Sequence, residues 1–397
     1  MGQGWLIYSA PALPRWCFFL MISVRAAFVP GAYFVYLTSQ SLASWLVQRG
    51  LLDPFAITRG DFAVEELEFH NRGFRVYRPV TKPLYVKQLR EFDRANVLCL
   101  QREAAFGLAV ARTDSVQWLK SRMPTFLDYD ARHHAVTVEL LPETENLHET
   151  MERVVSIPES VSRGLGQLIG SFTFKECDDL RAAIPNDLCP GKPPWILSFH
   201  VDQGAGFLSP ANKHLLGVLQ QDDVFASSLN ELRSNWQATS LMHGDLKWNN
   251  VLVRETDLEP DWYVIDWEMV DRGDPRWDLG TMIQCWWYFW ILSTPPDELT
   301  SLDDMLNRRR SAFDETRPSL NALWEGYQTA VGLSDSDLRR TRRVVARFAA
   351  ARMLQTVYEL LHSQESIGVS AQIMIEMSRR ILKAPESMAE FMPGVAS

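Results

Sequence analysis

The sequence predicts an α+β protein of two lobes, a small lobe rich in strands and a larger lobe that is mainly helical. Between residues 67 and 141, short apolar or alternating runs are interrupted by one amphipathic helix. Beyond Pro142, apolar residues recur mainly with a helical period. The 397 residues suffice for two such lobes. We therefore expect an N-terminal hydrophobic extension and helix in 1–50, a small lobe in 51–141 and a large lobe in 142–397.

The N-terminal extension contains an apolar run, residues 16–37, that has about the length of a membrane span. Arg25 lies near the middle of this run and Pro30-Gly31 interrupts it, and no basic segment precedes it as in a signal peptide. We expect the run to pack on the body of the protein. Membrane contact is the second interpretation, and an over-long start with Met21 as another initiator is the third.

The predicted elements of the small lobe follow in chain order. Residues 38–50 carry Leu42, Trp45 and Leu46 at helical spacing and stop at Gly50, which predicts a short amphipathic helix. The strand-like runs read LEFHNRGFRVYR, LYVKQLR, TFLDYD and AVTVELL. Apolar residues at three- and four-residue intervals predict a helix over Ala95 to Arg112 that packs on the sheet.

The large lobe begins with helical periodicity that a Pro-rich loop at 184–195 interrupts. The runs VLVRE and DWYVIDWE, separated by the turn 256–260, predict a hairpin. Residues 279–292 are too short to span a bilayer and predict a buried core helix. Its aromatic run, 286–290, is interpreted as core, and aromatic contact with a ligand is the alternative.

Composition excludes some functions. The formal net charge of −9 argues against non-specific nucleic-acid binding, which requires a basic surface. Five cysteines, without a C-x-x-C pair, give no indication of a zinc or redox motif. A reducing cytoplasm is the expected location.

The strongest chemical signal is HGDLKWNNVLV at 243–253, followed by VIDWE at 264–268. It resembles the catalytic core of the aminoglycoside phosphotransferase and choline kinase superfamily, relatives of protein kinases. His243, Asp245, Asn250 and Asp266 fill the pattern H-x-D-x-x-x-x-N, strand, Asp. The resemblance implies that Asp245 takes the proton of an acceptor hydroxyl, and that Asn250 and Asp266 bind Mg²⁺. His243 is expected to orient the loop.

The resemblance also implies the details of the fold. We expect a bilobal protein-kinase-like fold with a small antiparallel β lobe that carries one helix, a hinge near Leu141 and a larger, mainly helical lobe. Lys247 is expected either to stabilise the transferring phosphoryl group or to be a surface lysine. Asp278 in PRWDLG is expected to brace the catalytic loop from a helix start; a plain N-cap is the competing explanation, and both could hold.

The small lobe is expected to bind the nucleotide. Lys87 lies in a predicted strand, and Glu103 follows sixteen residues later in the predicted helix, a spacing similar to that of the superfamily's phosphate-binding Lys-Glu pair. A G-x-G-x-x-G loop is missing, and the turn 70–74 contains only Gly73, whose neighbourhood is the best candidate for covering the phosphates. The backbone of Glu139 and Leu141 is expected to contact adenine.

We therefore expect an ATP- and Mg²⁺-dependent phosphotransferase that acts on a hydroxyl of a small molecule. A kinase for Ser or Thr of a peptide, in a peptide natural-product pathway, is the alternative. A pseudokinase that acts as a binding module is disfavoured because every named ion- and phosphate-binding position is filled. Helical insertions, here 144–235 and 295–340, are expected to bind the acceptor.

Overall fold

A computed structural model of the chain describes residues 35–68, 71–78, 81–154, 156–174, 177–201, 208–294, 301–308 and 313–387. The apolar N-terminal run lies outside this set except for its last three residues. Within the described set, no helix is both long and apolar enough to cross a membrane.

The small lobe is built on an antiparallel sheet of five strands in the order β1-β2-β3-β5-β4. The strands are β1 (Ala63–Glu68), β2 (Arg72–Tyr77), β3 (Leu84–Gln88), β4 (Phe126–Asp130) and β5 (Ala135–Glu139). Side chains alternate between the two faces of a strand, so Leu84 and Val86 of β3 are fully buried on one face while Lys87 lies on the other.

Three helices accompany this sheet: α1 (Ser39–Gln48), α2 (Pro54–Arg59) and α3 (Arg94–Arg112). The apolar face of α1, including Leu42 and Trp45, joins the core on one face of the sheet with Phe74 of β2. Leu100 of α3 belongs to a separate core with Val136 of β5. The sheet is therefore packed between α1 and α3. Both helices were predicted within two residues of their ends, whereas α2 was not predicted.

The rest of the chain is mainly helical, as expected. Its helices within the described residues are α5 (Leu147–Val154), α6 (Glu159–Ser171), α7 (Cys177–Ala183), α8 (Pro210–Gln221), α9 (Asp223–Ser234), α10 (Arg276–Leu292), α11 (Leu302–Arg308), α12 (Arg317–Val331), α13 (Asp335–Leu360) and α14 (Val369–Lys383), while the short α4 (Gln117–Lys120) lies between α3 and β4 of the small lobe. Helix α10 is buried on nearly all sides and packs along α13. Trp286 and Trp287 are each at most 1% exposed, so the interpretation of the aromatic run as core is confirmed for them.

Short strands interrupt the large lobe at the site described below. Strands β8 (Val251–Arg254) and β9 (Asp261–Val264) form the predicted hairpin, and β6 (Glu145–Asn146) pairs with β8. Strand β7 (Ser240–Met242) pairs with β10 (Asp271–Gly273). The expectation of a single hairpin in the large lobe was therefore wrong, because two- and three-residue strands are too short to show alternation in the sequence.

Candidate active site

The loop that joins β7 to β8, residues 243–250, lies against the turn that follows β9. Gly244 has a backbone φ of +83°, a conformation that favours glycine. A Cβ at this position would lie 2.4 Å from the carbonyl oxygen of Met269. The close approach of these two backbone segments therefore requires glycine in the HGD sequence.

Asp278, in the first turn of α10, fixes the start of this loop. Its two carboxylate oxygens accept hydrogen bonds from the backbone N–H groups of His243 at 2.6 Å and Gly244 at 2.9 Å. Its side chain does not cap its own helix, whose N-cap residue is Pro275. Burial raises the pKa of Asp278 to about 7. The bracing role expected from the resemblance is therefore confirmed by these contacts.

His243 is fully buried and joins the loop to β9. Its Nδ1 accepts the backbone N–H of Asp245 at 3.3 Å, and its Nε2 lies 2.9 Å from the carbonyl oxygen of Ile265. Nε2 must therefore carry the proton and donate it to that carbonyl. Burial lowers the pKa of His243, which favours this neutral form. These contacts agree with the structural role expected for His243.

Asp245 is buried among hydrogen-bond donors. Its Oδ2 lies 2.8 Å from Lys247 Nζ and 3.3 Å from Asn250 Nδ2, and its Oδ1 lies 3.1 Å from Nη2 of Arg352. Burial alone would raise the pKa of Asp245, but the cations Lys247 and Arg352 outweigh it and lower the pKa. Asp245 is therefore an ionised carboxylate, the form that can accept a proton. Lys247 is not a free surface lysine, because its side chain is 18% exposed and faces Asp245.

Lys87 is the centre of a second cluster, and this cluster joins the two lobes. Its Nζ lies 3.0 Å from Glu103 Oε2 on α3, 2.5 Å from Asp266 Oδ1 and 2.9 Å from Glu268 Oε2. Burial alone would lower the pKa of Lys87, but the three carboxylates raise it well above its usual value. The predicted Lys-Glu pair is present, and the same ammonium reaches the predicted metal ligand Asp266.

Glu268 was not singled out from the sequence. It lies two residues after Asp266, in a short 3₁₀ turn at 267–269. Asp266 itself has a left-handed backbone, with φ +66° and ψ +55°, which is uncommon for a residue other than glycine and is typical of functional sites. In the sequence, the glutamate that ends VIDWE was the feature that could have indicated this additional carboxylate.

The donor set of this cluster fits a divalent cation. Carboxylate oxygens of Glu103, Asp266 and Glu268 all lie within 4.8 Å of one another. Carboxylate and amide oxygens are the protein ligands that Mg²⁺ prefers. Asn250 lies at the same end of the hairpin, since its carbonyl oxygen accepts the N–H of Ile265 at 3.0 Å. The Asn250 amide nitrogen is directed at Asp245, which leaves its Oδ1 as the atom suited to a metal.

The remaining predicted residues lie around the small-lobe sheet. Gly73 of β2 is directly opposite Lys87 of β3, and a Cβ there would lie 2.8 Å from the hydroxyl of Tyr85. Glu139 ends β5, where its backbone N–H is already bonded to the carbonyl of Thr125 at 2.9 Å. Leu141 follows two residues later, at the passage between the lobes.

Two charged residues of α13 that the sequence did not reveal also reach the site. Arg352 and Glu359 are buried, with side chains 2% and 6% exposed, and Arg352 contacts Asp245. The sequence feature that could have indicated them is their spacing. Two opposite charges seven residues apart lie on one face of a helix, and the neighbouring residues of this helix are mostly apolar.

Comparisons with known proteins agree with this geometry. Residues 187–322 match the family model described as the phosphotransferase enzyme family. The fold is similar to that of an ethanolamine kinase from Plasmodium vivax, with a TM-score of 0.54 and 11% identity, over 91% of this chain and 93% of that one. A choline/ethanolamine kinase family protein from Mesorhizobium loti gives a TM-score of 0.46 and 16% identity, over 88% of this chain and 98% of that one.

A macrolide 2'-phosphotransferase from Brachybacterium faecium gives a TM-score of 0.47 and 15% identity, over 84% of this chain and 98% of that one. None of the curated proteins matches the chain. At 11% identity the Plasmodium vivax structure establishes the fold alone, and the family match over residues 187–322 includes the loop 243–250 and Asp266. The resemblance recognised from the sequence is confirmed to this extent: residues 187–322 match the phosphotransferase enzyme family, and the chain has a protein-kinase-like fold.

Proposed function

We propose that this phosphotransferase moves the γ-phosphoryl group of ATP, bound with Mg²⁺, onto a hydroxyl group of a small molecule. The observation that carries the proposal is the contact of Lys87 with both Glu103 and Asp266. That contact joins the phosphate-binding pair of one lobe to the metal-binding end of the other. The family match supports phosphoryl transfer, and the likeness to the Plasmodium vivax ethanolamine kinase suggests an amino alcohol as one acceptor class.

The small lobe, proposed as residues 51–141, positions the nucleotide. Lys87, held by Glu103, contacts the phosphates when the ion pair with Asp266 opens. The strand backbone near Gly73 covers the phosphates, and the backbone of Glu139 and Leu141 faces adenine.

The large lobe, proposed as residues 142–397, carries the chemistry. Asp266 and Asn250, with Glu268 as a further carboxylate, are the residues that would hold Mg²⁺, and a bound ion would supply positive charge to neutralise the phosphate oxygens. Asp245 accepts a hydrogen bond from the acceptor hydroxyl and orients its oxygen toward the γ-phosphorus. It takes the proton as the new P–O bond forms, while the bond from the γ-phosphorus to the bridging oxygen breaks and ADP leaves. Lys247 turns from Asp245 to the transferring group and stabilises its negative charge.

A panel of acceptors tests this proposal. We would measure Mg²⁺-dependent release of ADP from ATP with aminoglycosides, macrolides, amino alcohols, sugars and Ser/Thr peptides. We expect one small-molecule class to accelerate release. Stimulation by peptides alone would favour the alternative kinase for Ser or Thr of a peptide. The absence of both ADP release and ATP binding by calorimetry would favour the pseudokinase and overturn the proposal.

The Asp245→Ala variant tests the assigned chemistry. We expect a fall of at least about 10²-fold in kcat, since a general base contributes about 10²- to 10⁴-fold. ATP binding should change little because Asp245 does not belong to the Lys87 cluster. Asp257→Ala is the matched control, since Asp257 is an exposed carboxylate in the β8–β9 turn. Wild-type turnover by Asp245→Ala would refute the role of Asp245.

A further inference from the structure

Helix α13 presents a buried ion pair to the catalytic loop, although α13 begins after the end of the matched segment 187–322. Arg352 and Glu359 are seven residues apart, about two helical turns, and lie on the same face. One guanidinium nitrogen of Arg352, Nη1, donates to Glu359 Oε1 at 2.8 Å and to Thr356 Oγ1 at 3.1 Å. The other, Nη2, donates to Asp245 Oδ1 at 3.1 Å. Arg352 therefore joins the helix to Asp245.

The two cations that contact Asp245 are held differently. Lys247 lies on the catalytic loop, has a flexible stem and contacts Oδ2 with a side chain that is 18% exposed. Arg352 contacts Oδ1 with a side chain that is 2% exposed, and two groups of its own helix fix its planar guanidinium. Lys247 can therefore exchange Asp245 for a phosphate, whereas Arg352 is anchored.

We infer that Arg352 is a positioning residue for Asp245. It holds Oδ1 so that Oδ2 is directed at the acceptor hydroxyl, and it keeps this orientation when Lys247 leaves Oδ2 for the transferring phosphoryl group. Glu359 serves as the anchor of Arg352. This inference rests on the proposed function, because it assigns an orientation to the carboxylate that takes the acceptor proton.

The physical basis is the sensitivity of proton transfer to geometry. Displacement of a reacting group by about 1 Å can lower a rate by about 10²-fold. Without Arg352, the Asp245 carboxylate would keep only the donors on Oδ2, which are Lys247 and Asn250. Lys247 would leave Oδ2 when it turns to the transferring phosphoryl group. Loss of Arg352 should therefore slow the chemical step and leave nucleotide binding intact, since the Lys87 cluster does not contain Arg352.

The experiment compares Arg352→Met, Arg352→Lys and Glu359→Gln with Arg347→Met. Arg347 is the matched control because it lies on the same helix and forms an ion pair with Glu231 at 2.8 Å, without contacting Asp245. The measured rate is that of ADP release from Mg²⁺–ATP. The acceptor is the compound of the panel above that gives the fastest release with wild type, or water if no compound accelerates release. ATP affinity by calorimetry and the circular dichroism spectrum are measured on each variant.

We expect kcat to fall by about 10²-fold in Arg352→Met, with the Kd for ATP within about twofold of wild type. Arg352→Lys keeps the charge but loses the fork that spans Asp245 and Glu359, so its kcat should be about three- to tenfold below wild type, between wild type and Arg352→Met. Glu359→Gln should lower kcat by less than Arg352→Met, and Arg347→Met should match wild type.

A folded Arg352→Met enzyme with kcat within about threefold of wild type would overturn the inference. If Arg352→Met does not fold, wild-type kcat in both Arg352→Lys and Glu359→Gln would overturn it equally. Failure of the proposed function is distinguishable, since it would appear as undiminished turnover by Asp245→Ala. An inactive Asp245→Ala enzyme beside a fully active Arg352→Met enzyme would reject the positioning role alone.

Discussion

Individual residues of the catalytic loop are constrained mainly by backbone geometry. Gly244 lies between His243 and Asp245, and its φ of +83° turns the chain so that both neighbours face the site. Its N–H is bonded to Asp278, and the Met269 carbonyl leaves no room for a Cβ. Gly244 therefore orients the proposed catalytic residue Asp245 through the backbone alone.

Substitution of Gly244 by Ala should destabilise the protein strongly. A left-handed backbone costs a residue with a Cβ about 1–2 kcal/mol, and displacement of the Met269 carbonyl adds a steric cost. We expect a loss of at least about 3 kcal/mol in the free energy of unfolding, measured by urea denaturation. Gly332→Ala is the control, because Gly332 has a φ of +64° and a Cβ added there would have no atom within 4 Å. Equal losses in the two variants would contradict the steric argument.

The sequence predicted those site residues whose spacing within one segment carries the information. Asp245, Asn250 and Asp266 follow a local pattern, and the structure brings them to one end of the β8–β9 hairpin. Arg352 reaches Asp245 across 107 positions of the chain, and such a contact leaves no periodic trace. The sequence showed its charge but not its burial, which depends on packing against α10.

At the scale of elements, the large lobe contains a close helix crossing. Helices α6 and α12 approach each other at Gly166 and Gly326, where a Cβ on either glycine would lie 2.0 Å from a backbone carbonyl oxygen of the other helix. Such small residues allow two backbones to pack closer than side chains would permit. The crossing packs α12 against α6, and α6 in turn packs on α10.

Substitution of Gly326 by Ala tests this crossing. The added methyl group must displace the backbone of Arg163, so we expect a loss of about 2–4 kcal/mol in the free energy of unfolding despite the better helix propensity of Ala. Gly217→Ala is the matched control, since Gly217 lies within α8 with open space around it. That variant should gain about 0.5–1 kcal/mol. A neutral Gly326→Ala would show that the helices can separate without cost.

Elements with long periodic segments were predicted well, and short ones were not. The amphipathic patterns of α1 and α3 extend over several turns, and α10 contains the mainly apolar run 279–292, so each was recognisable. Strands β6, β7 and β10 contain two or three residues each and exist because neighbouring segments supply their partners. Tertiary pairing, which no local pattern encodes, determines them.

At the scale of the whole molecule, buried carboxyl groups make stability depend on pH. Burial raises the pKa of Asp278 and of Glu359 to about 7 each. In the unfolded chain such groups have a pKa near 4, so the folded state binds more protons between these values. A raised pKa of this kind adds stability at low pH that is lost as the pH rises through about 7. Asp245 and Asp266, whose pKa values are lowered, lose their contribution only at more acidic pH.

We therefore expect Asp278 and Glu359 each to lower the free energy of unfolding as pH rises from 5 to 7, an effect that levels off near pH 8. Buried histidines such as His243, whose pKa is lowered, act in the opposite sense below about pH 6.5, so the effect of Asp278 is measured as a difference between variants. Each fully linked carboxyl contributes a slope of up to about 1.4 kcal/mol per pH unit. Asp278→Asn removes one such group, so the free energy of unfolding of this variant should fall less with rising pH than that of wild type. The variant can also be less stable at every pH because its hydrogen bonds are altered, but that loss does not affect the comparison of slopes. Urea denaturation at half-unit pH steps measures both slopes, and Asp257→Asn, at an exposed position, should reproduce the wild-type slope. If Asp278→Asn also reproduces it, Asp278 is ionised throughout this range, and the two backbone hydrogen bonds from His243 and Gly244 outweigh its burial.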